Sequence, residues 1–205
     1  MKSKVSAKGM IDLKEALGND IRDQKFNRFL FLTYSLQENL LDLFPKGGKA
    51  LVYCNQRVSD KPRIESDAVK TEHFKNHAKI YCMWGSKSIK CWLGSFNLTE
   101  GGLLSNIEWA ASFEGELLHS MEIEDVISGK IQCNVSDNQV VNQIIDFISH
   151  AVNREPPVIS DRFFQTSMRG PILLHNLATN TLHKCIIKLA ERAKKNLIIT
   201  YITPF

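Results

Sequence analysis

The sequence predicts an α/β fold with a central mixed, largely parallel β-sheet that is flanked by helices. Apolar runs of strand length alternate with amphipathic segments along the 205 residues. The first part of the chain has the order strand, helix, strand, which favours a parallel pair joined by a crossover helix. Two later apolar runs are separated only by Gly85, Ser86 and Lys87, which predicts a hairpin with antiparallel strands.

The first elements follow from apolar runs and from the residues that interrupt them. Residues 28–36 are rich in aromatic and aliphatic side chains, which indicates a buried strand. Residues 37–44 have apolar residues at helical spacing and end at Pro45 and two glycines. Residues 49–55 predict the second strand, and the polar residues 56–72 predict a loop.

The middle of the chain predicts the hairpin, a turn, one more strand and two helices. The hairpin strands, the turn with a short helix, the further strand and the two amphipathic helices are expected, in that order, at residues 77–84, 88–94, 97–106, 107–114, 116–128 and 139–152. In the last helix, Val140, Val141, Ile144, Ile145 and Ile148 line one face, which predicts burial against the sheet.

A repeated strand pattern predicts a second lobe. The apolar run that ends in Thr33 and Tyr34 has a counterpart that ends in Thr200 and Tyr201. This favours a duplicated domain; the alternative is two buried strands that are alike only in composition. We therefore expect a first lobe at 1–152, a connector at 153–176 and, at 177–205, the start of a truncated second lobe, so that the chain would be part of a longer protein.

Composition limits the class of protein. Apolar residues make up 43% and charged residues 23% of the chain, which is typical of a globular protein, and no apolar run has membrane-spanning length. Five cysteines without a CxxC pair argue against a disulfide framework and favour a cytoplasmic location. The net charge of +4 permits a polyanionic partner. Basic residues cluster locally, at Lys70, His73, Lys75, His77 and Lys79.

The second half of this cluster begins a pattern that suits phosphodiester chemistry. On a strand, His77 and Lys79 would point to the same face, and the hairpin would return Asn97 beside them. The following strand would place Glu108 nearby. An imidazole can attack phosphorus, a lysine and a carboxamide can bind the non-bridging oxygens, and a carboxylate can orient the imidazole. This design requires no metal ion or other cofactor.

These residues resemble the signature of the phospholipase D superfamily. The segment 77–108 contains H-x-K, then G-S-x-N-x-T-x-x-G-L, then N-x-E, as in that family. The resemblance implies a phospholipase D-like lobe with His77, Lys79, Asn97 and Glu108 as catalytic residues. Further candidates for substrate binding are Ser95, Lys75 and Thr99. In the family two such motifs face each other, so a second H-x-K is expected from a C-terminal lobe or from a homodimer partner.

The resemblance also implies the function. The segment 94–109 is most similar to nuclease-type and defence-associated bacterial members, which predicts a metal-independent phosphodiesterase acting on nucleic acid, with DNA favoured over RNA, in phage defence. It does not decide whether His77 is the nucleophile or the acid. The alternatives are a non-catalytic nucleic-acid-binding or assembly module of a defence complex, and a phosphatidyl transferase or phospholipase. No membrane partner is expected.

One position departs from the family pattern. The family has an aspartate five residues after the lysine, where this chain has Trp84. The substitution is expected to remove one orienting group, which keeps the non-catalytic alternative open. Trp84, Trp92 and Trp109 are all predicted to lie in the core, with stacking on a nucleobase as the alternative for one of them. A zinc site built from His73, His77, Cys82 and Cys91 fits no common spacing.

Overall fold

The computed structural model describes residues 12–57, 69–129, 135 and 138–153. In chain order, the elements are helix α1 (Leu13–Arg22), strand β1 (Arg28–Leu36), a 3₁₀ helix (Glu38–Leu43), strands β2 (Lys49–Arg57), β3 (Val69–His73), β4 (Ile80–Trp84) and β5 (Ser88–Gly94), a π-helical turn (Gly101–Ser105), strand β6 (Ala110–Glu116), and helices α2 (Ile123–Ile127) and α3 (Gln139–Asn153). The predicted connector at 153–176, apart from Asn153, and the second lobe at 177–205 lie outside the described residues.

The described strands form one six-stranded sheet in the order β3, β2, β1, β4, β5, β6. The three strands on one side run parallel to one another. From β1 onwards each neighbour is antiparallel, through β4 and β5 to β6. The predicted mixed α/β fold is therefore confirmed, and parallel pairing is confined to one half of the sheet. The three-residue connection between β4 and β5 requires these two strands to be antiparallel.

This topology gives the sheet two functionally different edges. We call the top edge the end at which β1, β2, β3 and β5 finish and β4 and β6 begin. The bottom edge is the opposite end, where Arg28 of β1 lies beside Trp84 of β4. Every segment that carries a predicted site residue reaches the top edge.

Two apolar layers cover the two faces of the sheet. On one face α2 and α3 pack on residues of β1, β4 and β5, including Leu30, Leu32, Cys82, Trp84 and Cys91. As predicted, Val140, Val141, Ile144, Ile145 and Ile148 form the buried face of α3. On the other face α1 and the 3₁₀ helix pack on Phe29, Phe31, Tyr81, Met83 and Trp92. None of the helices described is long and apolar enough to cross a membrane.

Several boundaries differ from the prediction. Residues 56–72 were expected to form a loop, but 69–73 form β3, where buried Val69 and Thr71 alternate with charged residues. Residues 77–79 precede β4 instead of lying in it. The helix expected at 116–128 is reduced to α2, because Leu117 still pairs as a β-bridge with Val135. Helix α1 was not predicted; its first turn is capped by Asp12, whose carboxylate accepts the Glu15 N–H at 3.0 Å.

The tryptophans are only partly as expected. Trp84 and Trp92 are buried, as predicted. The prediction was wrong for Trp109, whose side chain is exposed just before β6 begins. It stands outside the layer that α3 covers.

Candidate active site

Four chain segments meet at the top edge of the sheet. They are the end of β1, the residues before β4, the end of β5 and the residues before β6. The Gly94 N–H donates to the Lys79 carbonyl at 3.3 Å, which extends the β4–β5 pairing beyond the strands. The Ser95 N–H donates to the Trp109 carbonyl at 3.1 Å. In return, the Trp109 N–H donates to the Ser95 hydroxyl at 3.0 Å. The backbone around the predicted site residues is therefore fixed.

The structure brings His77 and Lys79 together. The Lys79 Nζ lies 3.0 Å from Nδ1 and 3.3 Å from Nε2 of the His77 ring. It also donates to the His77 carbonyl at 2.9 Å. The ammonium thus holds the residue on both its ring and its backbone, although this segment precedes the strand.

Burial tunes the charges of this pair. Lys79 is only 8% exposed. Burial lowers its pKa to about 8, against a smaller opposing effect of the Glu108 charge. His77 itself is exposed to solvent. Partial desolvation of its ring, and then the charge of Lys79, lower its pKa, so the imidazole is neutral at neutral pH and a ring nitrogen keeps its lone pair.

Tyr34 supports both side chains from the end of β1. Its ring centroid lies 5.0 Å from that of His77. The Lys79 Nζ lies 5.6 Å from the same Tyr34 centroid, which is cation–π distance. Sequence reasoning assigned Tyr34 no place in the site. The available signal was the Thr-Tyr pair at 33–34, which is repeated at 200–201.

Asn97 is anchored through its carbonyl oxygen. The Ser35 N–H donates to Asn97 Oδ1 at 3.3 Å, so Asn97 is bonded to the residue next to Tyr34. The following residue is tied to β1 as well, because the Leu98 N–H donates to the buried Thr33 hydroxyl at 3.1 Å. Among the described residues, the Asn97 Nδ2 has no hydrogen-bond partner. It remains able to donate to a ligand.

The π-helical turn presses closely on Asn97. A Cβ built on Gly102 would lie 2.5 Å from the backbone carbonyl oxygen of Asn97 and 2.7 Å from the backbone nitrogen of the same residue. Just before the turn, the Thr99 hydroxyl accepts the Gly102 N–H at 3.1 Å. That hydroxyl keeps its own proton for donation. Position 102 must therefore be glycine for Asn97 to keep its place.

Glu108 reaches the site but does not orient His77. Its carboxylate accepts hydrogen bonds from the Ser95 hydroxyl and from Asn106 Nδ2, the latter at 3.4 Å. Within the described part of the chain no hydrogen bond joins Glu108 to His77, so the predicted orienting contact is not formed. The carboxylate acts on Lys79 through its charge. Ser95 is therefore a link between the end of β5 and Glu108.

Trp84 lies at the other end of β4. It is fully buried, and its indole N–H donates to the Met121 carbonyl at 2.8 Å. It lies five positions after Lys79 along an extended segment, a distance of about 16 Å. The expectation that this position removes an orienting group from the site is thus wrong, because a side chain at 84 does not reach His77.

The remaining candidates are scattered. Lys75 is exposed between β3 and β4. The residues of the rejected zinc alternative are not brought together: Cys82 and Cys91 are buried partners within the sheet, whereas His73 and His77 are exposed at the top edge. Among the described residues, no group of three or more His, Cys, Asp or Glu side chains is placed to hold a metal ion.

Comparisons with known proteins find similarity in structure alone. No family model matches the chain, and no curated protein matches its sequence. Yeast tyrosyl-DNA phosphodiesterase aligns with 66% of this chain and 39% of its own, at 11% identity and a TM-score of 0.45. NucT from Helicobacter pylori aligns with 69% of this chain and 88% of its own, at 12% identity and a TM-score of 0.41. The chain spans about two fifths of the length of the yeast protein structure. At these identities and scores, a functional assignment has to rest on the residues of the site.

Proposed function

We propose that this chain supplies one half of the active site of a phosphodiesterase that acts on nucleic acid through a phosphohistidine intermediate. One observation carries the proposal. An exposed, neutral imidazole is hydrogen-bonded to a buried ammonium that has no carboxylate partner among the described residues. A buried cation without a counter-ion is costly and is suited to binding an anion.

The chemistry proceeds in two displacements. In the first, a histidine nitrogen forms a bond to phosphorus while the phosphorus–oxygen bond to the leaving group breaks, and a second histidine protonates the leaving oxygen. In the second, water attacks phosphorus, gives its proton to that second histidine, and the phosphorus–nitrogen bond breaks. The lowered pKa of His77 favours the attacking role, because only the neutral ring is a nucleophile.

Lys79 and Asn97 bind the non-bridging oxygens in this proposal. The Lys79 ammonium is itself largely shielded from water, and the Asn97 Nδ2, which has no hydrogen-bond partner within the described residues, supplies a neutral donor. Such donors stabilise the transition state most when they are held in place before substrate arrives. An incoming phosphate would also raise the pKa of Lys79 towards its ordinary value, since it provides the missing counter-ion.

Tyr34 holds the imidazole in position and stabilises positive charge. Its ring contacts both His77 and the Lys79 ammonium. When His77 bonds to phosphorus its ring becomes more cationic, and an aromatic face beside it stabilises that charge. Ser95, Thr99 and Lys75 are proposed to contact the substrate around this centre.

The complete site needs a second H-x-K, because one histidine cannot both attack and protonate the leaving group. We propose that it comes from the C-terminal part of a longer protein or from a second copy of this chain. DNA is the favoured substrate, and a role in phage defence follows from the motif resemblance alone.

A nuclease assay of the full-length protein tests the proposal. DNA and RNA substrates are incubated with chelator present, using the wild type, His77→Ala and the control His73→Ala, which alters another exposed histidine at the top edge. Cutting should survive the chelator, fall at least about a thousandfold in His77→Ala, and persist in His73→Ala. Cutting that needs a metal ion, or that is equally reduced by both substitutions, would contradict the proposal. Binding without any cutting would favour the non-catalytic module.

A further inference from the structure

Trp109 differs from every other described aromatic residue. Its side chain is 53% exposed, whereas every other Phe, Tyr and Trp side chain in the described ranges is buried or half-buried. The indole N–H groups of Trp84 and Trp92 donate to Met121 and Asp20. Among the described residues the Trp109 indole has no such partner. A tryptophan left free in this way has both an apolar face and a polar edge available to a ligand.

The backbone that carries the exposed indole is fixed next to the candidate active site. Both backbone groups of Trp109 are bonded to Ser95, at 3.0 and 3.1 Å. The same Ser95 hydroxyl donates to the Glu108 carboxylate. A Cβ on Gly94 would come within 2.5 Å of the Trp109 carbonyl oxygen, so the two segments are in close backbone contact. Little backbone entropy would therefore be lost when this residue binds a ligand.

We propose that the Trp109 ring is a stacking platform for an unpaired base of the nucleic acid whose phosphodiester binds at His77 and Lys79. The proposal rests on the proposed function and specifies its substrate. Every base offers a π-face to an aromatic side chain, so stacking gives affinity without sequence preference. In a duplex these faces are already occupied by neighbouring bases. The site should therefore prefer single-stranded nucleic acid.

The surroundings of Trp109 suit a nucleotide. Ile107, on the other side of Glu108, is fully exposed, and Leu104 in the π-helical turn is 54% exposed. Both belong to the segment that leads into Trp109, and their exposed apolar side chains are available to a sugar or a base. The backbone of Trp109 is bonded to Ser95, and that of the neighbouring Gly94 to Lys79, so the segments that carry the aromatic ring and the cation are joined through the end of β5. This is the combination that binding of single strands requires.

Binding is tested with the full-length protein in a His77→Ala background, which prevents cutting. The probes are a short single-stranded DNA oligonucleotide and a series of the same oligonucleotide with one abasic site each. The abasic site is moved along the strand to find the position whose base stacks on Trp109. Trp109→Ala should weaken binding of the intact oligonucleotide roughly 5- to 150-fold, the range measured for loss of one stacked base. For one position of the abasic site, the same substitution should have little further effect.

Two control variants keep the outcome decisive. Trp109→Phe should retain most of the affinity, because it keeps a ring. Leu118→Ala should change nothing, although Leu118 is 57% exposed and thus comparable to Trp109. Equal losses on intact and abasic strands at every position would overturn the proposal. So would a change in the oligomeric state of Trp109→Ala in sedimentation without a change in affinity, which would make the platform a contact between copies of the chain. If the wild type cuts nucleic acid but Trp109→Ala does not change binding, only the stacking platform is rejected. If the wild type cuts no nucleic acid, the proposed function is rejected.

Discussion

Lys79 and Lys90 lie at opposite ends of the β4–β5 hairpin and have opposite electrostatic surroundings. Lys79, at the top edge, is 8% exposed, and within the described ranges its Nζ forms hydrogen bonds only with the ring and carbonyl of His77. The side chain of Lys90, near the bottom edge, is 15% exposed and pairs with Asp20 at 2.8 Å and with Glu114 at 3.2 Å. Two lysines of similar burial are therefore used differently.

The pKa shifts of the two lysines express this difference. Burial lowers the pKa of Lys79 to about 8, and Glu108 only partly opposes this. Burial also acts to lower the pKa of Lys90, but the hydrogen bond and charge of Asp20, with Glu114, outweigh it and raise the pKa. The bottom of the hairpin is thus built for stability, whereas the top carries an electrostatic cost that a bound phosphate can relieve.

The largest effect is expected at the bottom end, at Trp84, where the motif that the sequence resembles has an aspartate. Trp84→Asp should lower the free energy of unfolding by about 4 kcal/mol, because it removes a fully buried indole and buries a carboxyl group. It should give no gain in phosphodiesterase activity, since position 84 is remote from His77. Urea denaturation and kcat measure the two effects. If Trp84→Asp does not fold, Trp84→Phe should fold with kcat close to wild type. A rise in kcat on introducing the aspartate would show that the two ends of β4 are coupled.

A matched pair of lysine substitutions tests the comparison directly. Lys79→Met should lower kcat about 100- to 1,000-fold, because it removes a preorganised cation from the transition state. Lys90→Met should leave kcat close to wild type but lower the free energy of unfolding by about 2 kcal/mol, because Asp20 loses its cationic partner and keeps only the Trp92 N–H. Kinetic assays and urea denaturation of both variants give the four values. Similar losses of kcat in both variants would show that the hairpin is not divided into a catalytic top end and a stabilising bottom end.

The two adjacent glycines of the π-helical turn provide a finer test of the top edge. Gly102→Ala should lower kcat about tenfold and destabilise the fold by about 1 to 2 kcal/mol, because its methyl group would collide with the Asn97 backbone. Gly101→Ala should be close to wild type, since the nearest atoms to its Cβ are 3.8 Å away on Asn106. Kinetics and thermal unfolding of both variants provide the comparison. Equal effects would mean that the turn, and not the position of Asn97, is sensitive.

Elements with strong local patterns could be predicted from the sequence, whereas those fixed by distant partners could not. Strand β1 and the buried face of α3 follow from the order of apolar residues in one segment. Strand β3 was missed because two buried positions among charged residues give little signal until β2 pairs with them. The strand position of 77–79 was wrong for the same reason, since pairing with β1 ends at Ile80.

The same distinction holds for the site: contacts within one segment could be predicted from the sequence, whereas contacts between segments could not. The two-residue spacing was enough to predict that His77 lies beside Lys79, because residues so close in sequence are also close in space. The contact with Tyr34 depends on β1 lying next to β4, and the hydrogen bond between Ser95 and Glu108 depends on the pairing of β5 with β6. Neither of these can be read from the residues around each position.

The smallest expected effect concerns stability and pH, and it follows from the pKa of Lys79. In the folded protein that pKa is about 8, below the ordinary value of 10.5. Below pH 8 the side chain is charged in both states, and the folded state bears the full cost of burying it. Between these two values the unfolded chain binds more protons, so wild-type stability should rise with pH. Lys79→Met lacks this cost, so near pH 7 it should be more stable than wild type by about 1 to 2 kcal/mol, and the difference should shrink as the pH approaches 10.5.

For Lys90→Met the change in stability has the opposite sign. The raised pKa of Lys90 keeps its stabilising charge up to and beyond 10.5, so the loss in that variant should persist over the same range. Urea denaturation of the three proteins near pH 7 and near pH 10 measures these differences, and a gain in Lys79→Met that is the same at both values would mean that the ammonium is not destabilised by burial.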